Sequence, residues 1–252
     1  MDSDASRKLL YPGFVQSIGI IVTFLILSIC AELLMAAITG NTHLLPIPYT
    51  AAIAIATAGT LAFAWFLSEA PAPEAFPRGE FSMGIVVSIF LVIAGIAVFL
   101  TEATDIVAQI FPIPADIQEQ LRDLGNNPLF TFYAIAIGPA LEELLMRGVV
   151  MRGLLSRYTP TMAILANAWL FAVMHFNPWQ FIAAFTLGAL NSWLFVRKRS
   201  IRLCIITHAL WNGFFFMQDT ISGDGPLKLS FAINVAAACL VVGGLRQLRK
   251  QL

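Results

Sequence analysis

The sequence contains few charged residues. Of its 252 residues, 12% are Asp, Glu, Lys or Arg and 58% are hydrophobic, and the mean hydropathy is +0.80. A typical soluble domain carries about 25% charged residues, most of them on the surface that faces water. The composition therefore excludes a soluble globular protein and indicates that lipid surrounds most of the chain. The formal net charge is zero, and no basic stripe suggests a nucleic-acid partner.

Cysteine is also scarce. The three cysteines, Cys30, Cys204 and Cys239, all lie in apolar stretches. In such surroundings cysteine behaves as a small hydrophobic residue. Their spacing matches neither a disulfide framework nor a metal site. We therefore predict no disulfide and no redox role.

The abundant apolar residues form eight runs. Each run is close to the roughly 20 residues that a helix needs to cross a hydrocarbon core of about 30 Å. The sequence therefore predicts an all-α fold, a polytopic transmembrane bundle of about eight helices in a single domain, residues 1–252. The runs are Phe14–Ile38, Tyr49–Leu67, Phe81–Leu100, Leu129–Leu155, Pro160–Phe176, Trp179–Val196, Ile201–Met217 and Leu229–Leu245.

The basic residues are distributed unevenly between the two sides of this predicted bundle. If the N-terminus lies inside, Arg122 and Lys228 fall on the outer side, Arg147 lies within a span, and twelve other Lys and Arg residues fall inside. Such a bias predicts that both termini are cytoplasmic. The twelve are Arg7, Lys8, Arg78, Arg152, Arg157, Arg197, Lys198, Arg199, Arg202, Arg246, Arg249 and Lys250.

Three connections between the runs are informative. Ser68–Glu80 is rich in proline and predicts an extended cytoplasmic loop. Glu102–Pro128 is longer and lies outside in this topology, and within it we expect a short helix that Asp116 caps and that ends at Gly125. The tight connection Phe176–Pro178 makes the fifth and sixth spans antiparallel neighbours.

The fourth run contains three ionisable residues, Glu142, Glu143 and Arg147. Charges at bilayer depth are costly and usually mark function. Glu143 and Arg147 are four residues apart, so they can pair on one face of a helix. A packing role for that pair is one interpretation. Glu142 points about 100° further round the helix and has no local partner.

Two histidines also lie within apolar runs. His175 ends the fifth run, and His208 lies in the seventh on the same face as Asn212. With a rise of about 1.5 Å per residue, Glu143, His175, His208 and Asn212 lie roughly 16–25 Å from the cytoplasmic boundary. We therefore expect residues from three helices to converge inside the membrane.

Such a cluster has the groups needed for hydrolysis by water. A carboxylate and an imidazole can hold one water molecule and remove its proton. A second histidine with an Asn carboxamide can supply hydrogen-bond donors to an oxyanion. Arg147 can orient Glu143 or bind a substrate carboxylate. No Ser or Cys stands out as a nucleophile.

At these residues the sequence resembles the CAAX-protease and bacteriocin-processing family of intramembrane proteases. The family signature is Glu-Glu-x-x-x-Arg, Phe-x-x-x-His and His-x-x-x-Asn. It occurs here, in that order, as Glu142-Glu143 with Arg147, Phe171 with His175, and His208 with Asn212. The resemblance covers residues 129–216.

The resemblance implies a glutamate-dependent endopeptidase that cleaves a membrane-associated or lipidated peptide or protein. It also implies a role for each signature residue. Glu142 and His175 activate the water, His208 and Asn212 stabilise the oxyanion, and Glu143, Arg147 and Phe171 support the site or the substrate. The location expected is a prokaryotic inner membrane, where membrane lipid is a further partner.

Several alternatives stay open. Glu142, His175 and His208 can also supply three zinc ligands, although we expect no cofactor. A non-catalytic bacteriocin-immunity or scaffold protein would keep the same fold. A proton-coupled transporter also uses intramembrane Glu and His, but the sequence has no internal repeat typical of many transporters. The substrate and the oligomeric state are left open.

Overall fold

The computed structural model describes residues 10–40, 45–69, 76–222 and 231–252. In these residues the regular structure consists of nine helices, which confirms the all-α prediction. They are α1 (Phe14–Thr39), α2 (Pro46–Ser68), α3 (Met83–Ile110), α4 (Ala115–Gly125), α5 (Pro128–Leu155), α6 (Pro160–Val173), α7 (Pro178–Lys198), α8 (Ile201–Ser222) and α9 (Phe231–Gln251).

The protein is an integral membrane protein. Five helices, α1, α2, α3, α5 and α7, are long and apolar enough to cross a bilayer, and α6 and residues Ile201–Met217 of α8 form shorter apolar helices. Eight of the nine helices coincide with the eight predicted runs. The count of eight crossings stays a prediction.

Local sequence signals explain where three of the later helices begin. Asn127, Thr159 and Asn177 precede α5, α6 and α7, and each side chain accepts a hydrogen bond from a backbone N–H of the first turn. Each is followed by a proline at the first helical position, where the missing N–H is not needed. The directions of these three helices are thereby set at the points where they enter the bundle.

Three boundaries differ from the sequence-based expectation. Helix α3 continues to Ile110, so the predicted loop from Glu102 is helical over its first nine residues. Helix α4 begins at Ala115 after Pro114, whose fixed φ suits a helix start. Asp116 therefore lies in the first turn rather than at the cap. Helix α6 ends at Val173, so His175 lies in the following turn, where Phe176 has a φ of 51°.

One end of the bundle is basic. The N–H of Leu10 donates to Ser156 Oγ (3.0 Å), the N–H of Gly79 to the carbonyl of Arg199 (3.0 Å), and Lys198 Nζ to the carbonyl of Gln251 (2.7 Å). These bonds bring the segments before α1 and α3, the turns that end α5 and α7, and the end of α9 together. Ten of the twelve predicted cytoplasmic cations lie here. Arg7, Lys8 and also Lys228 lie outside the described residues.

Helices α6 and α7 pack closely as antiparallel neighbours, as the short connection predicts. A Cβ atom on Gly188 of α7 would lie 2.9 Å from Ala168 Cα of α6 and 3.3 Å from Phe171 Cδ1. Glycine is therefore required for this approach. Phe171 is fully buried beside it, and the contact sets the position of the aromatic ring around which the candidate site is built.

Candidate active site

Helix α5 departs from α-helical geometry on both sides of the two adjacent glutamates. Residues Gly138–Glu143 form a short α-helical segment between two π-helical segments, Tyr133–Ile137 and Leu144–Val150. A π turn is rare, occurs mostly as a single turn inside an α-helix and is frequently found at functional sites. The two turns determine the directions in which Glu142 and Glu143 leave the helix.

Pro139 explains why the carbonyl of Ala134 is left for Asn212. The N–H of Gly138 bonds to the carbonyl of Tyr133, five residues earlier. The carbonyl of Ala134 would receive the next such bond from residue 139, but proline has no N–H. Asn212 of α8 supplies the missing donor, with its Nδ2 2.7 Å from that carbonyl oxygen. One amide hydrogen of Asn212 is thus committed to holding α8 against α5.

Glu143 is a fully buried hub of hydrogen bonds. Its Oε1 accepts from Arg147 Nη1, from Asn191 Nδ2 and from His208 Nδ1, each at 3.0 Å. Because a carboxylate paired with arginine only accepts hydrogen bonds, the proton of the His208 ring is assigned to Nδ1. In the neutral ring, Nε2 then carries a lone pair. Glu143 therefore orients His208 from α5.

Arg147 is enclosed by the protein. It is 0% exposed, its Nη2 donates to the carbonyl of Gly188 (3.0 Å), and its guanidinium lies 5.0 Å from the centre of the Phe171 ring. The predicted pairing of Arg147 with Glu143 is present in the structure at 3.0 Å. Breaking a buried pair of this kind by removing one partner is strongly destabilising. Nε of Arg147 and Oε2 of Glu143 have no hydrogen-bond partner among the described residues. The full burial of Arg147 suits support of the site, and its alternative role in binding a substrate carboxylate stays a prediction.

Glu142 differs from its neighbour in every respect that matters for chemistry. Its side chain is 22% exposed, and its Oε2 lies 3.9 Å from Nε2 of His208. Within the part of the chain that the structure describes, no hydrogen bond engages its carboxylate. Two acceptors that face each other at this distance require a donor between them, and a water molecule can donate to both.

His175 is fixed by the end of α6. Its Nδ1 lies 2.9 Å from the carbonyl oxygen of Phe171, one of the last carbonyls of the helix. Such carbonyls lack an intrahelical partner, and a carbonyl accepts only, so the ring proton is again assigned to Nδ1.

Phe171 stands between the two imidazoles. Its ring meets His175 edge-on at 5.1 Å between centroids and His208 edge-on at 5.6 Å. With Arg147 also against this ring, six of the seven predicted site residues form one contiguous group. Asn212 is joined to it through α5 and lies one turn from His208.

Sequence reasoning missed a second set of buried polar residues. Asn191 contacts Glu143 directly, while Asn167 donates through Nδ2 to the carbonyl of Met146 (2.9 Å) and accepts from Ser192 Oγ (3.0 Å). All three are 0% exposed. The available signal was the presence of Asn and Ser within apolar runs, where polar side chains join transmembrane helices.

A metal ion at this site would have to be held by Glu142, His175 and His208. Within the described ranges, no three His, Cys, Asp or Glu side chains are grouped closely enough to bind one ion. Nδ1 of both histidines is bonded, to the carbonyl of Phe171 and to Glu143, which leaves Nε2 of each ring as the nitrogen that could bind a metal. We derive no step of the reaction through a metal.

An apolar cavity of about 450 Å³ adjoins the turn that carries His175. It opens between the ends of α3 and α6 and the start of α7. Asn177 is the single polar residue in its lining, and its amide bonds to the carbonyl of His175. The lining residues are Val107, Phe111, Ala172, Val173, Phe176, Asn177, Pro178, Phe181 and Ile182.

Comparisons with known proteins find a family match over the part of the chain that contains these residues. Residues 124–214 match the family described as type II CAAX prenyl endopeptidase Rce1-like. Over 114 residues the chain is 32% identical to the membrane-embedded CAAX protease MroQ of Staphylococcus aureus (strain USA300). That stretch covers 42% of this chain and 46%, less than half, of the relative. No solved structure matches the chain.

Proposed function

This chain belongs to the CAAX-protease and bacteriocin-processing family through residues 124–214, and from that membership we propose that it is an intramembrane endopeptidase. The proposed reaction is hydrolysis of a peptide bond in a membrane-associated or lipidated substrate. The observation that carries the proposal is the carboxylate of Glu142, which has no hydrogen bond among the described residues and lies 3.9 Å from Nε2 of His208.

In the proposed mechanism, one water molecule donates its hydrogens to Glu142 and His208. Its oxygen lone pairs then point away from both residues and toward a scissile carbonyl. Glu142 takes a proton as the oxygen attacks the carbonyl carbon, and the same proton passes to the leaving nitrogen when the C–N bond breaks. The sequence alone favoured His175 beside Glu142; the measured separation supports His208 in that position, with His175 as a further partner of Glu142.

Oxyanion stabilisation is the role proposed for Asn212. One of its two amide hydrogens bonds to Ala134, and the second is left for a developing negative charge. A donor held rigidly by another helix is effective because it needs little reorganisation during the reaction. Glu143, Arg147 and Phe171 support the reacting residues, and the proposed reaction uses no cofactor.

The apolar cavity supports a substrate that approaches from the membrane. It is lined by Phe176, the residue after His175, and has an almost wholly apolar lining, which suits an apolar segment or chain near the cleaved bond. The partners proposed are therefore membrane lipid and a membrane-associated peptide or protein.

Reconstitution tests this function directly. Purified protein in liposomes is incubated with a set of peptides that carry apolar or lipidated ends, and mass spectrometry identifies newly formed termini. We expect cleavage by the wild type and none by Glu142→Gln. If neither protein yields a new terminus while both are folded, the non-catalytic or transport function gains support, and a proton-flux measurement on the same liposomes separates those two.

A further inference from the structure

We propose that Asn191 is a positioning residue of this site, holding Glu143 and the His208 turn of α8 in fixed register. The inference rests on the proposed function, because positioning has a meaning only for residues that react. Neither the family signature in the sequence nor the similarity to known proteins assigns a role to Asn191.

Both hydrogens of the Asn191 amide are used. Nδ2 donates to Oε1 of Glu143 (3.0 Å) and to the carbonyl of Cys204 (3.1 Å). Asn191 is 0% exposed, so water does not compete for these bonds. Two acceptors at fixed positions determine the orientation of the amide. Because one acceptor lies on α5 and the other on α8, the amide holds these two helices at a fixed distance.

The carbonyl of Cys204 lies one helical turn before His208, at the position to which the His208 N–H points in an α-helix. Asn191 thus joins the carboxylate of Glu143 to the turn that carries His208. The thiol of Cys204 in turn donates a weak hydrogen bond to the backbone carbonyl of Asn191 (3.5 Å). In this way α7 fixes the separation across which Nδ1 of His208 meets Glu143.

The hydrogen bonds to the carboxylate of Glu143 all go to one of its two oxygens. Oε1 accepts three hydrogen bonds, whereas Oε2 has no partner among the described residues. Without Asn191, the carboxylate is free to rotate and to offer either oxygen to Arg147 and His208. The direction of Nε2 of His208 toward Glu142 would then be less well defined. A misplacement of about 1 Å can lower a rate by about 10²-fold.

Asn167 provides a matched control. It is also a fully buried asparagine, one helix away, whose amide bonds to a backbone carbonyl and to Ser192. It contacts neither glutamate nor histidine in the site. A purely structural role for Asn191 would therefore make its substitution resemble that of Asn167.

The experiment compares Asn191→Leu with Asn167→Leu. Leucine is close to asparagine in size but has no hydrogen-bond donor in its side chain. We expect Asn191→Leu to lower kcat by about 10²-fold with little change in KM, and Asn167→Leu to change kcat far less. Thermal unfolding in detergent reports the fold of both proteins. If Asn191→Leu does not fold, Asn191→Ser, which keeps one short donor, is expected to show the same kcat effect to a smaller extent.

A spectroscopic measurement separates this inference from the proposed function. The chain has three histidines, so the ring ¹⁵N signals of His175 and His208 can be assigned by single replacements. Asn191→Leu should shift the His208 signals and leave those of His175 in place, whereas Asn167→Leu should move neither. Unchanged His208 signals in the Asn191 variants would overturn the positioning role. Absence of cleavage by the wild type would refute the protease and leave this test intact.

Discussion

Glu142 and Glu143 are adjacent in the sequence but face opposite nitrogens of one imidazole ring. Glu143 accepts from Nδ1 of His208 at 3.0 Å, and Glu142 lies 3.9 Å from Nε2. The carboxylate of Glu143 is fully buried, and one of its oxygens accepts three hydrogen bonds. The carboxylate of Glu142 is partly exposed and has no hydrogen bond among the described residues. Neighbouring residues of the same type thereby have separate functions, one holding the ring and one available to a substrate.

Glu142→Gln should abolish cleavage without loss of stability. The amide keeps the size of the side chain but cannot take a proton, and general-base catalysis contributes about 10²–10⁴-fold to a rate. His175→Ala and His208→Ala should also abolish cleavage. The rate of product formation measures cleavage, and thermal unfolding of the same samples measures stability. The matched control is Glu119→Gln on the exposed face of α4, and full activity of Glu142→Gln would eliminate the water-activation role.

Arg147→Met should destabilise the protein rather than act on chemistry alone. Removal of the guanidinium leaves the buried carboxylate of Glu143 without its cation, which costs about 3–5 kcal/mol in comparable pairs. Urea or thermal unfolding in a mild detergent measures the change in free energy of unfolding. Arg122→Met, at an exposed position of α4, is the control and should change it by less than about 0.5 kcal/mol.

The contribution of Asn212 should depend on Pro139. Loss of the amide in Asn212→Leu leaves the Ala134 carbonyl without its donor, at a cost of about 1–3 kcal/mol. In a Pro139→Ala background, residue 139 gains an N–H that can satisfy the same carbonyl, so the cost should be smaller. A double-mutant cycle on the free energy of unfolding measures the coupling. If Asn212→Leu costs the same free energy of unfolding in both backgrounds, the missing N–H of Pro139 is not the reason why the Ala134 carbonyl needs Asn212.

The helices and most of the site residues could be predicted from the sequence, because apolar runs and charges within them are local signals. Asn191 could not be placed, since its partners Glu143 and Cys204 come from two other helices. The π segments also escaped prediction. Pro139 indicates an irregularity in α5, but the register of the hydrogen bonds around it depends on packing against α8.

The ends of α3 and α6 were also placed wrongly from the sequence. Glu102 marks the end of an apolar run, yet α3 continues to Ile110, and Glu102 accepts a hydrogen bond from Asn234 of α9 (3.1 Å). At α6, the helix stops early at Val173 because Phe176 takes a left-handed conformation that its side chain does not favour. A sequence pattern does not indicate such a residue.

Proteolysis should survive metal removal. The proposed water is held by a carboxylate and an imidazole, so prolonged incubation with a strong chelator is expected to leave the cleavage rate unchanged within error. The chelator is then dialysed away and zinc is added to a parallel sample. Loss of activity on chelation with recovery on zinc would assign Glu142, His175 and His208 to a metal instead.

The basic end of the bundle should face the cytoplasm. Its cations flank several helix ends, and clusters such as Arg197, Lys198, Arg199 and Arg202 are difficult to translocate. With Cys30 and Cys239 replaced by alanine, single cysteines at the exposed positions Glu119 of α4 and Gln247 of α9 report the two sides. A membrane-impermeant thiol reagent should label Glu119→Cys in intact cells and Gln247→Cys only after permeabilisation. The reverse pattern would invert the topology but leave the intramembrane site unchanged, because the hydrogen bonds that build it do not depend on the orientation of the bundle.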